Sequence, residues 1–157
     1  MAGQVSHELE LNVQASHAWE LYGTLGLARL AEKELPDYFQ KIDLLEGDGG
    51  VGTVLKLTFA PGVPETTAKE KFTKIDNEKR IKEVETIEGG YLDSGFRFHR
   101  TRFEVIEKGN DSSVVVTTID YQLKDEATAN ASVVSAEAFA IIGEIAKNYL
   151  YKLNKPS

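Results

Sequence analysis

Between Val5 and Val13 apolar and polar residues alternate, with His7, Leu9, Leu11 and Val13 on one side and Glu8, Glu10 and Asn12 on the other. A period of two is that of a strand with one buried and one wet face. Ser16 then offers an N-cap to HAWELYGTL, and a second short helical stretch, about Leu25 to Leu35, ends at Pro36. FQKIDLLE and VLKLTF are strand-like runs joined by the glycine-rich GDGGVGT. KEKFTKID and RIKEVETIE form a second pair across the turn signal Asp76-Asn77-Glu78-Lys79, and GFRFHRTRFEVIE and SSVVVTTIDYQL a third across Lys108-Gly109-Asn110-Asp111. From about Glu126 to Leu153, Phe139, Ile142, Ala146, Tyr149 and Leu153 recur every three or four residues, and Val134, Ala138, Ile141 and Ile145 widen the stripe. That spacing predicts one long amphipathic helix. Strand, two short helices, about six strands in hairpins, then a helix together predict an α+β fold with an antiparallel sheet.

Composition narrows the function classes. With 157 residues, 41% hydrophobic and 27% charged, the chain has the make-up of one folded domain spanning residues 1–157. Eighteen Lys and Arg against 25 Asp and Glu leave a net charge of −7, which disfavours a nucleic-acid partner. Without cysteine there are no disulfides, thiolate nucleophiles or Cys-built metal sites. His7, His17 and His99 are too scattered to suggest a His-built one, so neither metal nor cofactor is expected. MAGQVSHELELNV lacks the apolar run of a secretory leader, and no stretch approaches the roughly 20 apolar residues of a membrane span. The expected address is cytoplasmic, with no membrane partner.

Strand parity then singles out two charges. In Thr67 to Lys74, Lys69, Lys71 and Thr73 are polar, so Ala68 and Glu70 share the inward face of Phe72. In the next strand Glu83 and Glu85 look outward, which turns Lys82, Val84 and Thr86 inward. If Phe72 opposes Lys82, Glu70 is its diagonal neighbour at about 7–8 Å. A slip of two moves them apart, and the sequence leaves both registers open. Unpaired charges are costly in a filled core, but make sense against a space that admits a polar ligand. Burial would bring both groups closer to acid–base duty at neutral pH. The plainer alternative is a pair at the sheet rim with both heads in solvent.

Other motifs carry less. GDGGVGT lacks the Gly-Lys-Ser/Thr ending and following helix of a nucleotide loop, so it reads as a glycine-permitted turn or a mobile rim. His99, among Arg97, Arg100, Thr101 and Arg102, fits either an interior polar spot or a solvated basic edge. Tyr91 reads as core before pocket. No G-x-S-x-G nucleophile elbow occurs.

The phrases LLEGDGGVGT, EKFTKIDNEKR and VETIEGGYLDSGF resemble the pathogenesis-related class-10 family of plants, the major-pollen-allergen superfamily, in its norcoclaurine synthase and norbelladine synthase branch. The resemblance covers nearly the whole chain. It implies a seven-stranded, strongly curved antiparallel sheet gripping a long C-terminal helix, two short helices at one end, and a large internal hydrophobic cavity. It also implies a Pictet–Spengler or imine-forming condensation of an aromatic amine such as dopamine with an aromatic aldehyde, without cofactor. Lys82 would handle protons on the carbinolamine and iminium, and Glu70 would remove the ring proton. Ala68, Phe72, Tyr91 and His99 are the expected substrate contacts from the first strands of the wall. Thr101 and Phe103 join them from the strand that carries His99, and Phe139 and Ile142 from the helix. Ala68 stands where the family has tyrosine and Thr101 where it has aspartate, which implies a wider mouth and a less tightly held amine. The rival expectation is a non-catalytic intracellular binder of phytohormones, flavonoids or alkaloid intermediates. Either way the partner is a small aromatic or hydrophobic molecule, and the protein a monomer or weak homodimer.

Overall fold

The computed structural model describes residues 2–63, 66–124 and 137–153. Strand β1 (Ala2–Leu11) leads into helices α1 (Ala15–Tyr22) and α2 (Gly26–Glu34). Strands β2 (Phe39–Glu46), β3 (Val54–Phe59), β4 (Thr67–Asp76), β5 (Ile81–Gly89), β6 (Phe96–Gly109) and β7 (Ser112–Leu123) follow, and helix α3 (Glu137–Leu153) closes the chain. A single 3-10 turn, Gly90–Ser94, interrupts the hairpin from β5 to β6. All seven strands form one antiparallel sheet in the order β1-β7-β6-β5-β4-β3-β2. The hairpin signals account for the run from β2 to β7, since two-stranded units joined by short turns stack as neighbours. Only β1 arrives out of sequence order, alongside β7.

One face of this sheet is the core. Leu9 and Leu11 of β1, Phe72 of β4, Val84 of β5, Phe103 and Val105 of β6 and Val115 of β7 are buried together with Tyr22 of α1 and Leu150 of α3. Val13 and Ala15, each 1% exposed, pin the exit from β1, and Ser113 Oγ donates to the Val13 carbonyl at 3.0 Å. That anchoring starts α1 at Ala15 and puts Gln14, not Ser16, at the N-cap, where it makes no side-chain bond. Apolar burial outweighs a cap worth about 1 kcal/mol.

Besides register shifts in β2 and near the end of β6, three β-bulges bend the part of the wall formed by β4, β5 and the start of β6. Thr73 on β4, Ile87 on β5 and Arg97 on β6 are each one residue more than the facing strand supplies. In all three the extra residue is exposed, and the next inward position is simply delayed by one. Phe72 and Ile75 therefore both face the core, as do Phe96 and His99, although each pair differs in parity. Bulges of this kind curve the strand and increase its twist. Ile87, 42% exposed, lies outward by the same alternation that turns Thr86 inward.

The predicted helix differs in part. Its first stretch, residues 126–136 with Val134, lies outside the described residues. Within α3 the buried line is Gly143, Ala146 and Leu150, flanked by the half-buried Phe139, Ile142 and Ile145. Ala138, Tyr149 and Leu153, expected on the apolar stripe, are exposed, because α3 meets β1 and α2 along the 143–146–150 line. Tyr149 and Leu153 instead border a groove of about 400 Å³ shared with His17, Glu20, Leu21 and Gly26.

The glycine-rich loop is a turn sewn into the sheet. Gly47, Gly49 and Gly52 have φ of 85°, 110° and 95°. Gly52 N donates to Phe72 O and Phe72 N to Thr53 O, both at 2.8 Å, while Gly49 N donates to the fully buried Thr53 hydroxyl. With its amides so engaged, the loop presents no phosphate cradle. Gly89, at φ 69°, faces the Thr67 carbonyl so closely that any Cβ would collide with its oxygen. Gly89→Ala is therefore expected to cost about 2–4 kcal/mol in urea unfolding; a loss under 0.5 kcal/mol would show that the bulged ladder relaxes freely.

Candidate functional site

The inner face brings together residues from three strands, β4, β5 and β6. Inward positions on β4 are Ala68, Glu70 and Phe72; those on β5 are Lys82, Val84 and Thr86. The register resolves the open choice: Phe72 opposes Val84, Glu70 opposes Thr86, and Lys82 opposes Ile75 beyond the bulge. Lys82 and the partner of Glu70 are thus four residues apart on β5, about 13 Å along the strand. The diagonal pairing is not the one formed.

Lys82 reaches inward rather than out. It is 3% exposed, its Nζ lies 4.0 Å from the centroid of the Phe72 ring, and it donates a 2.9 Å hydrogen bond to the carbonyl of Thr24 between α1 and α2. Burial disfavours the ammonium and lowers its pKa to about 8, an effect the negative charge of Glu70 partly opposes. Glu70 is half-buried and shares the inward face of β4 with the buried Ala68 and Phe72. Desolvation raises its carboxyl to about 7, with Lys82 pulling the other way. Near neutral pH each group can therefore both give and take a proton, the property acid–base catalysis requires. Neither rim alternative nor solvated pair describes them.

Next to Glu70 the wall is polar and ordered. Thr86, directly opposite Glu70, has its hydroxyl 3.1 Å from His99 Nδ1. His99 stacks on Tyr91 with ring centroids 4.3 Å apart and planes 18° from parallel. It is an interior residue, 5% exposed, and burial lowers its pKa to about 4, so the imidazole is neutral at pH 7. The basic residues around it face the other way: Arg100 bridges Glu83 at 3.5 Å and Asp120 at 2.9 Å, and Arg102 reaches Asp120 at 3.5 Å. Tyr91, on the 3-10 turn, also meets Phe96 edge-on at 5.4 Å and belongs to a small apolar cluster with Ile119 and Leu123.

Thr101 and Phe103 complete the face. Thr101 opposes Val84 and Phe103 opposes Lys82; both are buried. Phe103 packs between Tyr22, at 5.5 Å, and Phe139 of α3, at 5.9 Å, while Ile142 joins the same core half-buried. Burial raises the Tyr22 hydroxyl far above its usual pKa, so it stays neutral. At the other end Ala68 is buried beside Gly89 and borders a groove of about 460 Å³ whose rim carries Lys56, Thr67, Lys69, Glu88 and Asp93. All the expected contacts thus lie on or against one face, with Ala68 and Tyr91 at its margin. Thr24 is the residue that pattern reading misses, because it acts through a backbone carbonyl that no side-chain signal marks.

Residues 1–152 match the pathogenesis-related protein Bet v 1 family. The chain is 46% identical over 151 residues to norbelladine synthase of Narcissus pseudonarcissus, covering 96% of this chain and 93% of that one. It is 40% identical to S-norcoclaurine synthase 2 of Papaver somniferum, covering 95% of this chain but 65% of the relative. Among solved structures, norcoclaurine synthase from Thalictrum flavum, in complex with dopamine and hydroxybenzaldehyde, superposes with a TM-score of 0.88 at 34% identity, over 100% of this chain and 90% of that one.

Proposed function

This chain belongs to the pathogenesis-related protein Bet v 1 family, and on that footing we propose that it condenses an aromatic amine with an aromatic aldehyde on the concave face of its sheet. The observation that carries this reading is the pair Lys82 and Glu70, both turned inward and brought by burial to about 8 and about 7. The amine nitrogen adds to the aldehyde carbon. The Lys82 ammonium protonates the carbinolamine hydroxyl, which leaves as water and yields the iminium. In a cyclising condensation the electron-rich ring carbon then attacks that iminium, and the Glu70 carboxylate takes the ring proton as aromaticity returns. Over the cyclising sequence the bonds formed are C–N and C–C, the bonds broken are the aldehyde C–O, one amine N–H and the ring C–H, and the oxygen leaves as water. Where no ring attack follows, the imine itself is the product and Glu70 has a smaller part. The names of the similar proteins, and the dopamine and hydroxybenzaldehyde held by one of them, support this substrate class.

Positioning supplies much of any such rate. Ala68 and Thr101 provide neither a phenol nor a carboxylate to hold the amine, so a broad choice of partners is the expected character. Dopamine with 4-hydroxyphenylacetaldehyde, in phosphate-free buffer and with product resolved on a chiral column, tests the proposal. One enantiomer in excess is the expected result. Racemic product at the uncatalysed rate, repeated across other amine–aldehyde pairs, would overturn it and leave a small-molecule carrier as the better reading.

A further inference from the structure

Two opposite charges on one concave face, one of them on a long flexible stem, ought to collapse into an ion pair. Lys82 and Glu70 do not: no such salt bridge exists among the described residues. The Lys82 ammonium is engaged elsewhere, at the corner between α1 and α2. There the Thr24 hydroxyl donates to the Glu20 carbonyl at 2.7 Å and accepts from the Gly26 amide at 3.0 Å. One side chain therefore closes the last turn of α1 and begins the first turn of α2, satisfying groups that helix ends leave open. With the peptide so fixed, its carbonyl oxygen receives Lys82 Nζ at 2.9 Å, across 58 residues of sequence.

We propose that Thr24 is a positioning residue for Lys82: its hydroxyl locks the corner, and the locked carbonyl holds the ammonium over Phe72 and away from Glu70. This rests on the reading of Lys82 as the proton carrier. A closed pair would stabilise both charged forms at once and take both groups out of the neutral range. A carbonyl and an aromatic face hold the ammonium without neutralising a carboxylate. The other elements around Lys82 present Phe103 from β6, and from α1 Tyr22, whose hydroxyl stays neutral. Glu70 is the charged group that acts on it.

The experiment uses protein labelled with ¹³C at lysine Cε, the Lys82 resonance being assigned by its loss in Lys82→Met. Wild type, Thr24→Val and Thr24→Ser are titrated by NMR, and their pH–rate profiles recorded. Thr24→Val keeps the shape and removes the hydroxyl. There the released ammonium closes on Glu70, so Lys82 is expected to titrate about 1 unit higher and to recover in Thr24→Ser. The alkaline limb of kcat, which falls as Lys82 loses its proton, is expected to move up by the same interval. An unchanged Lys82 titration in folded Thr24→Val overturns the proposal whatever the rates. Should that variant not fold, the wild type decides: the Thr24 carbonyl ¹³C shift follows the Lys82 titration and stops doing so in Lys82→Met. A Thr24 carbonyl indifferent to that titration overturns it too. Full turnover by Lys82→Met strikes the catalytic role itself, and is read separately from the titrations.

Discussion

Lys82→Ala lowers kcat/KM for the proposed condensation by about 10²–10⁴-fold while the protein stays folded. The loss has two sources. The ammonium that protonates the leaving hydroxyl is gone, and so is the positive charge that restrains the Glu70 carboxyl, whose pKa then climbs further above about 7. At neutral pH the base is thus more often protonated in a variant that already lacks its acid. Folding should survive, because the side chain removed is a buried cation whose desolvation opposed folding. Lys82→Arg is expected to rescue little, since a guanidinium holds its proton too tightly to cycle and cannot sit over Phe72 as a compact head. Initial rates with a circular dichroism control decide the matter. Wild-type turnover by folded Lys82→Ala would remove the acid from the mechanism.

Glu70→Gln is the second large effect, and it separates catalysis from stability. Cyclisation slows by about 10²-fold or more, and the acidic limb of the pH–rate profile, which rises as Glu70 ionises, disappears. The same variant becomes more stable at pH 8. A carboxyl raised from 4.5 to about 7 binds its proton more tightly folded than unfolded, so its contribution to stability is lost as pH rises through that interval. Allowing for the surface Glu70 keeps, the gain at pH 8 for an amide that never ionises is about 2 kcal/mol. His99 works with the opposite sign. Its pKa, lowered from 6.5 to about 4, makes the folded protein bind fewer protons across that range, so stability grows as pH rises through it. In the wild type these two trends oppose each other. In Glu70→Gln the His99 trend stands alone, and urea midpoints are expected to climb between pH 4 and 6.5. Parallel pH–stability curves for variant and wild type would show that Glu70 is not held protonated by burial.

What the sequence discloses and what it conceals divide along physical lines. Element order, hairpin pairing and the inward turn of Glu70 and Lys82 follow from local periodicity, which three residues on either side suffice to define. Register does not, because it depends on where a strand takes an extra residue. Thr73 moves Lys82 opposite Ile75, and Arg97 blurs the alternation that would have shown His99 to be interior. The exposure of Tyr149 and Leu153 was likewise hidden, since a helical stripe says which residues share a side but not how far the partner surface extends. Ser16 failed as a cap because two buried residues upstream fixed the start of α1. Thr24 was invisible for a different reason: its contribution to the site is a peptide oxygen, which every residue possesses.

The bulges at Thr73, Ile87 and Arg97 have a consequence for how such a wall can change. Each spare residue is spent on the solvent side, so the string read from within, Ala68, Glu70, Phe72, Ile75 on β4, stays in frame. Deleting Thr73 would straighten β4 without exchanging one inward side chain for another. Shape and lining are therefore two separate dials: indels at the bulges reshape the vessel, point substitutions on the inner face recoat it, and a lineage can turn either without disturbing the other.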